Sequence, residues 1–195
     1  VRAIRPYGPT AFLVEAESID EVHALAQLRV PGVTQVVPGA RTLLVESSDP
    51  AAAETYRSCV LQGARPLVQD TTSVIEVIYD GEDLADVARA TNLSVDQVIA
   101  THTGAEYRVA LCGFTPGFAY LTGLPAKLHL PRRATPRESV PAGTLAIAGE
   151  WTGVYPRRSP GGWHLLGTTS TPMWDLERDP PALLSPGDRV TFRAI

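Results

Sequence analysis

Residues 144–169 read TLAIAGEWTGVYPRRSPGGWHLLGTT. Three short apolar segments, TLAIAGE, WTGVY and WHLLGTT, are parted by turn residues and not by polar runs of helix length. Working outward, YRVALCG (107–113) precedes them and RVTFRAI (189–195) follows. The last alternates Val190, Phe192 and Ala194 against Arg189, Thr191 and Arg193, after the turn Ser185-Pro186-Gly187-Asp188. Short strands at this spacing, with so much glycine and proline, point to a closed β-barrel in preference to an α/β sheet. Upstream, SVIEVIY (73–79) is apolar on both faces apart from Glu76 and predicts a well-buried first strand. Two short helices follow it. One runs from Asp83 to about Thr91 and is ended by Asn92; the other is opened by the capping box Ser94-Val95-Asp96-Gln97.

The first 70 residues read as a separate small α/β unit. TAFLVEA (10–16) predicts a strand, and Ser18-Ile19-Asp20-Glu21 a capping box for a helix stopped by Pro31-Gly32. VTQVV (33–37) and RTLLVES (41–47) predict a hairpin around Pro38-Gly39-Ala40. Asp49-Pro50 is an N-cap followed by proline at the first helical position, for a helix to about Leu61. With a further strand near Arg65–Val68, this order is what a ferredoxin-like domain or a related small α/β sandwich would give. The fold class is therefore α+β: a small α/β domain over residues 1–72 and a β-barrel domain over 73–195, with the break near 69–73.

Bulk properties narrow the function. The chain has 195 residues, 44% of them hydrophobic, enough for a sound core, and no apolar run long enough to span a bilayer. The opening VRAIRPYGPTAFLVEAE has no leader-like apolar stretch, which predicts a cytoplasmic protein. Cys59 and Cys112 have apolar neighbours and read as buried free thiols. Net charge is −4, which argues against nucleic acid as the main partner. Its distribution is uneven. Residues 1–106 hold seven arginines against fifteen acids, whereas residues 107–171 hold six arginines and Lys127 against Glu138 and Glu150 alone. A positive island on an acidic chain suits an anionic ligand or an acidic partner surface. No G-x-x-x-x-G-K-[ST], G-x-G-x-x-G or H-E-x-x-H string occurs, so no nucleotide or zinc motif is present.

Within the island stand three glycine- and proline-rich strings: GFTPGFAYL (113–121), PRRATPRESVPAG (131–143) and SPGGWHLLG (159–167). Together with EYRVALCGFTPGFAYLTGLP, TGVYPRRSPGGWHLLGTT and PALLSPGDRVTF, they resemble the allophanate hydrolase subunit 1 (KipI) family. The likeness is dense over 73–195 and thinner over 1–72, where VPGVTQVVPGARTLLVE is the matching segment. The N-terminal domain is shorter than the family's, and the string Tyr79–Leu84 is trimmed. The resemblance implies a cyclophilin-like barrel. It also implies the role of the B-type subunit in an ATP-dependent 5-oxoprolinase, opening 5-oxoproline to glutamate, with ATP and Mg²⁺ as co-substrate of the complex. The implied partners are an allophanate hydrolase subunit 2-type protein (the C-type subunit of 5-oxoprolinase) and an A-type subunit. A histidine-kinase inhibitor of the KipI kind, a subunit of an allophanate-type amide hydrolase and, by fold analogy alone, a prolyl isomerase are the competing readings.

Residue by residue, Arg132 and Arg137 sit where prolines stiffen the backbone and a guanidinium can be aimed at a carboxylate or phosphate. Arg133 reads as structural; salt bridges to the acidic N-terminal domain are the alternative, and a binding role is preferred for Arg132 and Arg137. Phe118 and Tyr120 are expected at a pocket mouth, the tyrosine hydroxyl as a catalytic contact, with Phe114 as a plug of the barrel. Ser159, Gly161 and Gly162 are expected to bind an anion through an exposed backbone nest. His164 should point outward from Trp163 by strand alternation and serve as acid or base. His23 and His102 lie on helices and attract no role. No nucleophile and no metal cluster stands out, which fits one half of a shared site better than a complete enzyme.

Overall fold

The computed structural model describes residues 1–62 and 72–195. The chain divides into two compact units, Val1–Gln69 and Asp70–Ile195. In the first, β1 (Ala3–Pro6), β2 (Ala11–Glu15), α1 (Ile19–Ala26), β3 (Val33–Pro38), β4 (Thr42–Ser47) and α2 (Pro50–Leu61) follow one another. The sheet is antiparallel throughout, in the order β1-β2-β4-β3. Phe12, Val14, Leu43 and Val45 alternate to one face of the sheet and join Val22 and Leu25 of α1 and Tyr56 and Val60 of α2 in one core. Tyr56 is fully buried, and its hydroxyl donates to the Leu25 carbonyl (2.5 Å).

The capping signals are partly fulfilled. Asp49 accepts from the Ala52 N–H at the start of α2, with Pro50 behind it. Ser18 accepts from the Glu21 N–H, but the Glu21 carboxylate turns to the amino terminus and to the Glu17 N–H, leaving the box one-sided. The difference from a ferredoxin-like order lies at the sheet edge. The strand beside β2 is β1, which precedes it in the chain; four residues, AIRP, carry too little alternation to be read as a strand. The strand expected near Arg65–Val68 lies outside the described residues, as does part of the interval expected for the domain break.

The second unit comprises β5 (Thr72–Val77), α3 (Leu84–Thr91), α4 (Val95–Thr103), β6 (Tyr107–Cys112), β7 (Ala119–Thr122), β8 (Arg137–Val140), β9 (Thr144–Ala148), β10 (Trp151–Val154), β11 (Ser159–Gly161), β12 (His164–Thr168) and β13 (Arg189–Ala194). Seven of its strands form one sheet in the order β12-β9-β10-β7-β6-β13-β5. Just past β5, Ile78 and Thr168 exchange reciprocal backbone hydrogen bonds of 2.8 Å. The two ends of the sheet meet there, so the barrel is nearly closed. Closure removes free edges, which suits strands this short.

β9 is buried at all five positions because it faces two cores. Leu145 and Ile147 join Ile75, Val109, Leu121, Leu166 and Phe192 in the first, which α3 and α4 complete with Val87 and Val98. Ala146 and Ala148 turn the other way, into a second cluster with Phe118, Val140, Tyr155, Trp163 and Leu165. The two-stranded ribbon β8–β11 belongs to this second layer. Among the described residues no helix is long and apolar enough to cross a membrane.

β5 is not buried on both faces: among the described strands it pairs with β13 alone, and Val74, Glu76 and Ile78 are exposed while Ile75 and Val77 are inside. Nor are the cysteines core residues. Cys59 is half-buried and Cys112 lies exposed at the end of β6, where a register shift after Val109 breaks the alternation.

His102 on α4 attracts no role from its place in the sequence, yet it is wholly buried. Its Nε2 lies 3.0 Å from Thr152 Oγ1 and its Nδ1 2.8 Å from the Tyr79 hydroxyl. Thr152 Oγ1 donates its own proton to the Ala146 carbonyl (3.1 Å), so Nε2 must be the donor to Thr152 and Nδ1 the acceptor from Tyr79. The imidazole is therefore neutral with both nitrogens satisfied, and burial pushes its pKa down to about 3. An unfolded histidine takes up a proton near pH 6.5, so stability from this site is complete above that value and falls as pH drops toward 3. Denaturant unfolding should show a loss of about 2 kcal/mol from this residue between pH 7 and pH 5. His102→Gln should narrow that pH dependence, and an unchanged pH profile would contradict the assignment.

Candidate functional site

Asp83 stands at the N-cap of α3, where a carboxylate ordinarily caps the helix, but it makes no side-chain cap bond. It is drawn elsewhere. Oδ1 accepts from Arg133 Nη1 (2.7 Å) and Arg137 Nη2 (2.8 Å), and Oδ2 accepts from the Leu165 N–H (2.8 Å). The side chain is 3% exposed. Burial alone would push this carboxyl up. The Arg137 hydrogen bond, the Leu165 N–H and the charges of Arg137 and Arg133 outweigh it and hold the pKa below the usual carboxylate value. Arg137 gains in turn, its pKa raised chiefly by the Asp83 hydrogen bond, and it also reaches Glu82 (3.2 Å).

The segment between these arginines and β12 is fastened at several points. The Arg133 N–H donates to the Gly162 carbonyl (2.8 Å), and His164 Nε2 donates to the Pro131 carbonyl (2.9 Å). Further on, β8 pairs with β11 through Ser159↔Val140 and Gly161↔Arg137. Arg132 lies between the fastened residues Pro131 and Arg133. It is exposed, and it has no hydrogen bond or ion pair among the described residues.

Arg132 borders a cleft of about 120 Å³ walled by Phe114, Phe118, Tyr120, Tyr155 and Trp163 and floored by Pro160, Gly161 and Gly162. The rings meet edge to face, with Phe118 centroids 4.9 Å from Tyr120, 5.4 Å from Tyr155 and 5.5 Å from Trp163. The string FTPGF makes the bend that sets this wall. Pro116 and Gly117 are the central residues of a turn closed by the Phe118 N–H on the Thr115 carbonyl (3.0 Å), with Gly117 at φ +83°. Phe114 also takes a left-handed φ of +68°, uncommon for a bulky residue. That conformation turns it outward: it is 59% exposed at the cleft mouth and is no plug of the barrel. A neighbouring cleft of about 190 Å³, around Ala142, Thr169 and Met173, is bordered by no charged side chain among the described residues.

The structure gathers Arg132, Phe118, Tyr120, Gly161 and Gly162 around one cleft, and it engages the other expected residues elsewhere. Arg137 pairs with Asp83 and Glu82 within its own unit. Ser159 is buried with Oγ donating to the Arg157 carbonyl (3.1 Å). His164 does lie beside the buried Trp163 as alternation requires, but its Nε2 is engaged by Pro131 and it does not border the cleft. The diglycine makes no nest, since neither residue takes the left-handed φ that a nest needs. Gly161 is glycine for another reason: a Cβ there would stand 2.1 Å from the Tyr155 hydroxyl. Two residues escaped the sequence reading. Asp83 looked like an ordinary helix start, and Tyr155 looked like the end of a strand. Among the described residues no group of three or more His, Cys, Asp or Glu side chains is placed to hold a metal ion.

With this geometry in place, the chain is assigned to its class. It belongs to the family described as carboxyltransferase domain, subdomain C and D, whose model matches residues 2–184. It is 41% identical over 201 residues to the B-type subunit of 5-oxoprolinase from Escherichia coli O157:H7, covering 95% of this chain and 92% of that one. The resemblance drawn from the glycine- and proline-rich strings is thus upheld. Among solved structures, TTHA0988 matches with a TM-score of 0.83 and 39% identity over 95% of this chain. This chain spans only 40% of the length of that protein. The urea amidolyase of K. lactis shares the fold at 18% identity and a TM-score of 0.72, over 98% of this chain and 15% of its own.

Two variants test the site's construction. Asp83→Asn removes the charge that holds two guanidinium groups and should destabilise the barrel unit by about 3 kcal/mol in denaturant unfolding. Hydrogen exchange over residues 131–137 should rise with it. Gly161→Ala should leave the barrel folded by circular dichroism but drive its Cβ into the Tyr155 hydroxyl, which should show as a lowered melting temperature.

Proposed function

We propose that this chain is the B-type member of an ATP-dependent 5-oxoprolinase complex, which hydrolyses the lactam of 5-oxoproline to glutamate. The observation that carries this reading is Arg132, a guanidinium free of protein acceptors at the edge of an aromatic cleft. A carboxylate is its natural partner, taken bidentately, and the apolar face of a small ring would lie against Phe118 and Trp163. The name carried by the 41% identical relative supports the substrate. Tyr120 is proposed to contact the reacting amide through its hydroxyl. His164 is a positioning group that holds Pro131, and with it Arg132, in place.

The cleft of about 120 Å³ is well below the roughly 300–1,000 Å³ typical of ligand pockets, so it suits part of a site and not a whole one. The remainder is assigned to an allophanate hydrolase subunit 2-type partner (the C-type subunit of 5-oxoprolinase), alongside an A-type subunit. That a unit like this one makes up 40% of a longer chain supports a role beside further sequence. The residues bordering the cleft do not fit ATP with Mg²⁺. Among the described residues no carboxylate borders it to hold Mg²⁺, so nucleotide binding is assigned to another member of the complex. The barrel is proposed to be of the cyclophilin-like kind and the complex cytoplasmic.

The test is reconstitution. Purified with its C-type and A-type partners, the chain should support ATP hydrolysis that depends on 5-oxoproline, and alone it should support none. A complete mixture without such turnover would overturn the assignment. Arg132→Ala should raise KM for 5-oxoproline at least about tenfold, because a charge-assisted contact is lost, with the melting temperature unchanged. Arg137→Ala, by contrast, should lower the melting temperature as well.

A further inference from the structure

Tyr155 follows β10 and is 2% exposed. Its backbone is fixed on both sides, the N–H donating to the Thr144 carbonyl (2.9 Å) and the carbonyl accepting from the Gly143 N–H (2.7 Å). The hydroxyl is different. It has no hydrogen-bond partner among the described residues, and although the ring is buried the oxygen is not among the buried unpaired atoms, so it reaches solvent at the cleft. It lies directly beneath Gly161, where any larger residue would collide with it, and it borders the same cleft as Arg132 and Tyr120. The SPGG string therefore has a use other than a nest: it leaves this hydroxyl open to the cleft. Burial pushes the Tyr155 phenol up, against the opposing charges of Arg132 and Arg137, so at neutral pH it keeps its proton and can donate.

We infer that the Tyr155 hydroxyl is a ligand-binding donor that reads the ring carbonyl of a compact cyclic amide acid, while Arg132 holds its carboxylate. The inference rests on the reaction proposed above and names a specificity-determining residue for it. Two polar anchors in one small cleft demand a ligand that carries both a carboxylate and a second acceptor on a short frame. L-proline has the first and lacks the second. Bound in the same pose, it would leave the Tyr155 hydroxyl unpaired, and a site built to hydrogen-bond a group rejects the analogue without it.

The experiment compares Tyr155→Phe with the wild-type chain, titrating each with 5-oxoproline and with L-proline by calorimetry. The variant should bind 5-oxoproline about tenfold more weakly, the equivalent of one hydrogen bond, and should lose most of its preference over L-proline. Its melting temperature should not fall, since the hydroxyl supports no other group in the fold. In the reconstituted complex KM for 5-oxoproline should rise by a similar factor while KM for ATP stays put. Equal 5-oxoproline affinity in variant and wild type would overturn the inference, as would a wild-type chain that does not bind 5-oxoproline. If binding depends on Tyr155 but the complete complex hydrolyses no ATP, the reaction falls and the ligand site stands.

Discussion

Asp83 accepts hydrogen bonds from two guanidinium groups and one backbone N–H while almost entirely withdrawn from water. A carboxylate so placed keeps its charge only if cations and donors replace the lost solvent. Each of its donors comes from a different part of the barrel unit: Arg133 from the proline-rich segment, Arg137 from β8, and Leu165 from β12. The carboxylate itself stands at the mouth of α3. One buried anion thus locks a helix start, a strand and an otherwise irregular segment together. Arginine suits the task because its planar fork offers several donors in fixed directions, so one group serves Asp83 and Glu82 at once. The arrangement also separates the three arginines by role. Two are held by the fold, and Arg132, pinned at the backbone on either side, keeps its guanidinium available.

The cleft beside Arg132 inherits its rigidity from packing. Phe118, Tyr155 and Trp163 are members of the second hydrophobic cluster, built on the outer face of β9. Their ring edges and faces are therefore set by the same contacts that hold the sheet. A site whose walls are core residues is pre-organised, since little side-chain freedom remains to be lost when a ligand enters. Phe114 is the exception, exposed at the rim in a strained backbone conformation, and such strain persists where surrounding structure holds it. The small volume of the cleft and its lack of free carboxylates agree with a unit that contributes recognition to a larger assembly.

Much of this was legible in the chain before any coordinate. Alternation in β2, β4 and β13 and the caps Asp49 and Ser94 are local signals, fixed by residues within a turn or two of one another, and they appear where they were read. The glycine- and proline-rich strings marked the right surface, and Arg132, Phe118 and Tyr120 meet on it. Where the reading missed, the deciding partner was distant. Asp83 and Arg137 are more than fifty positions apart, and nothing near Asp83 announces that its carboxylate will leave the helix it begins. His102 looked like any residue of a short helix until Thr152 and Tyr79 closed on its two nitrogens.

The sequence by itself determined most of the longer strands and helices, the positive character of one stretch and the family to which the chain belongs. These depend on period, composition and local hydrogen bonding, all of which are written along the chain. Tertiary structure alone decided which arginine is free, why Gly161 must be glycine and that the Tyr155 hydroxyl opens on the cleft. Each of these is a question of who occupies the space around a group once it leaves water. Burial and charge pairing answer it only when residues far apart in sequence are brought together.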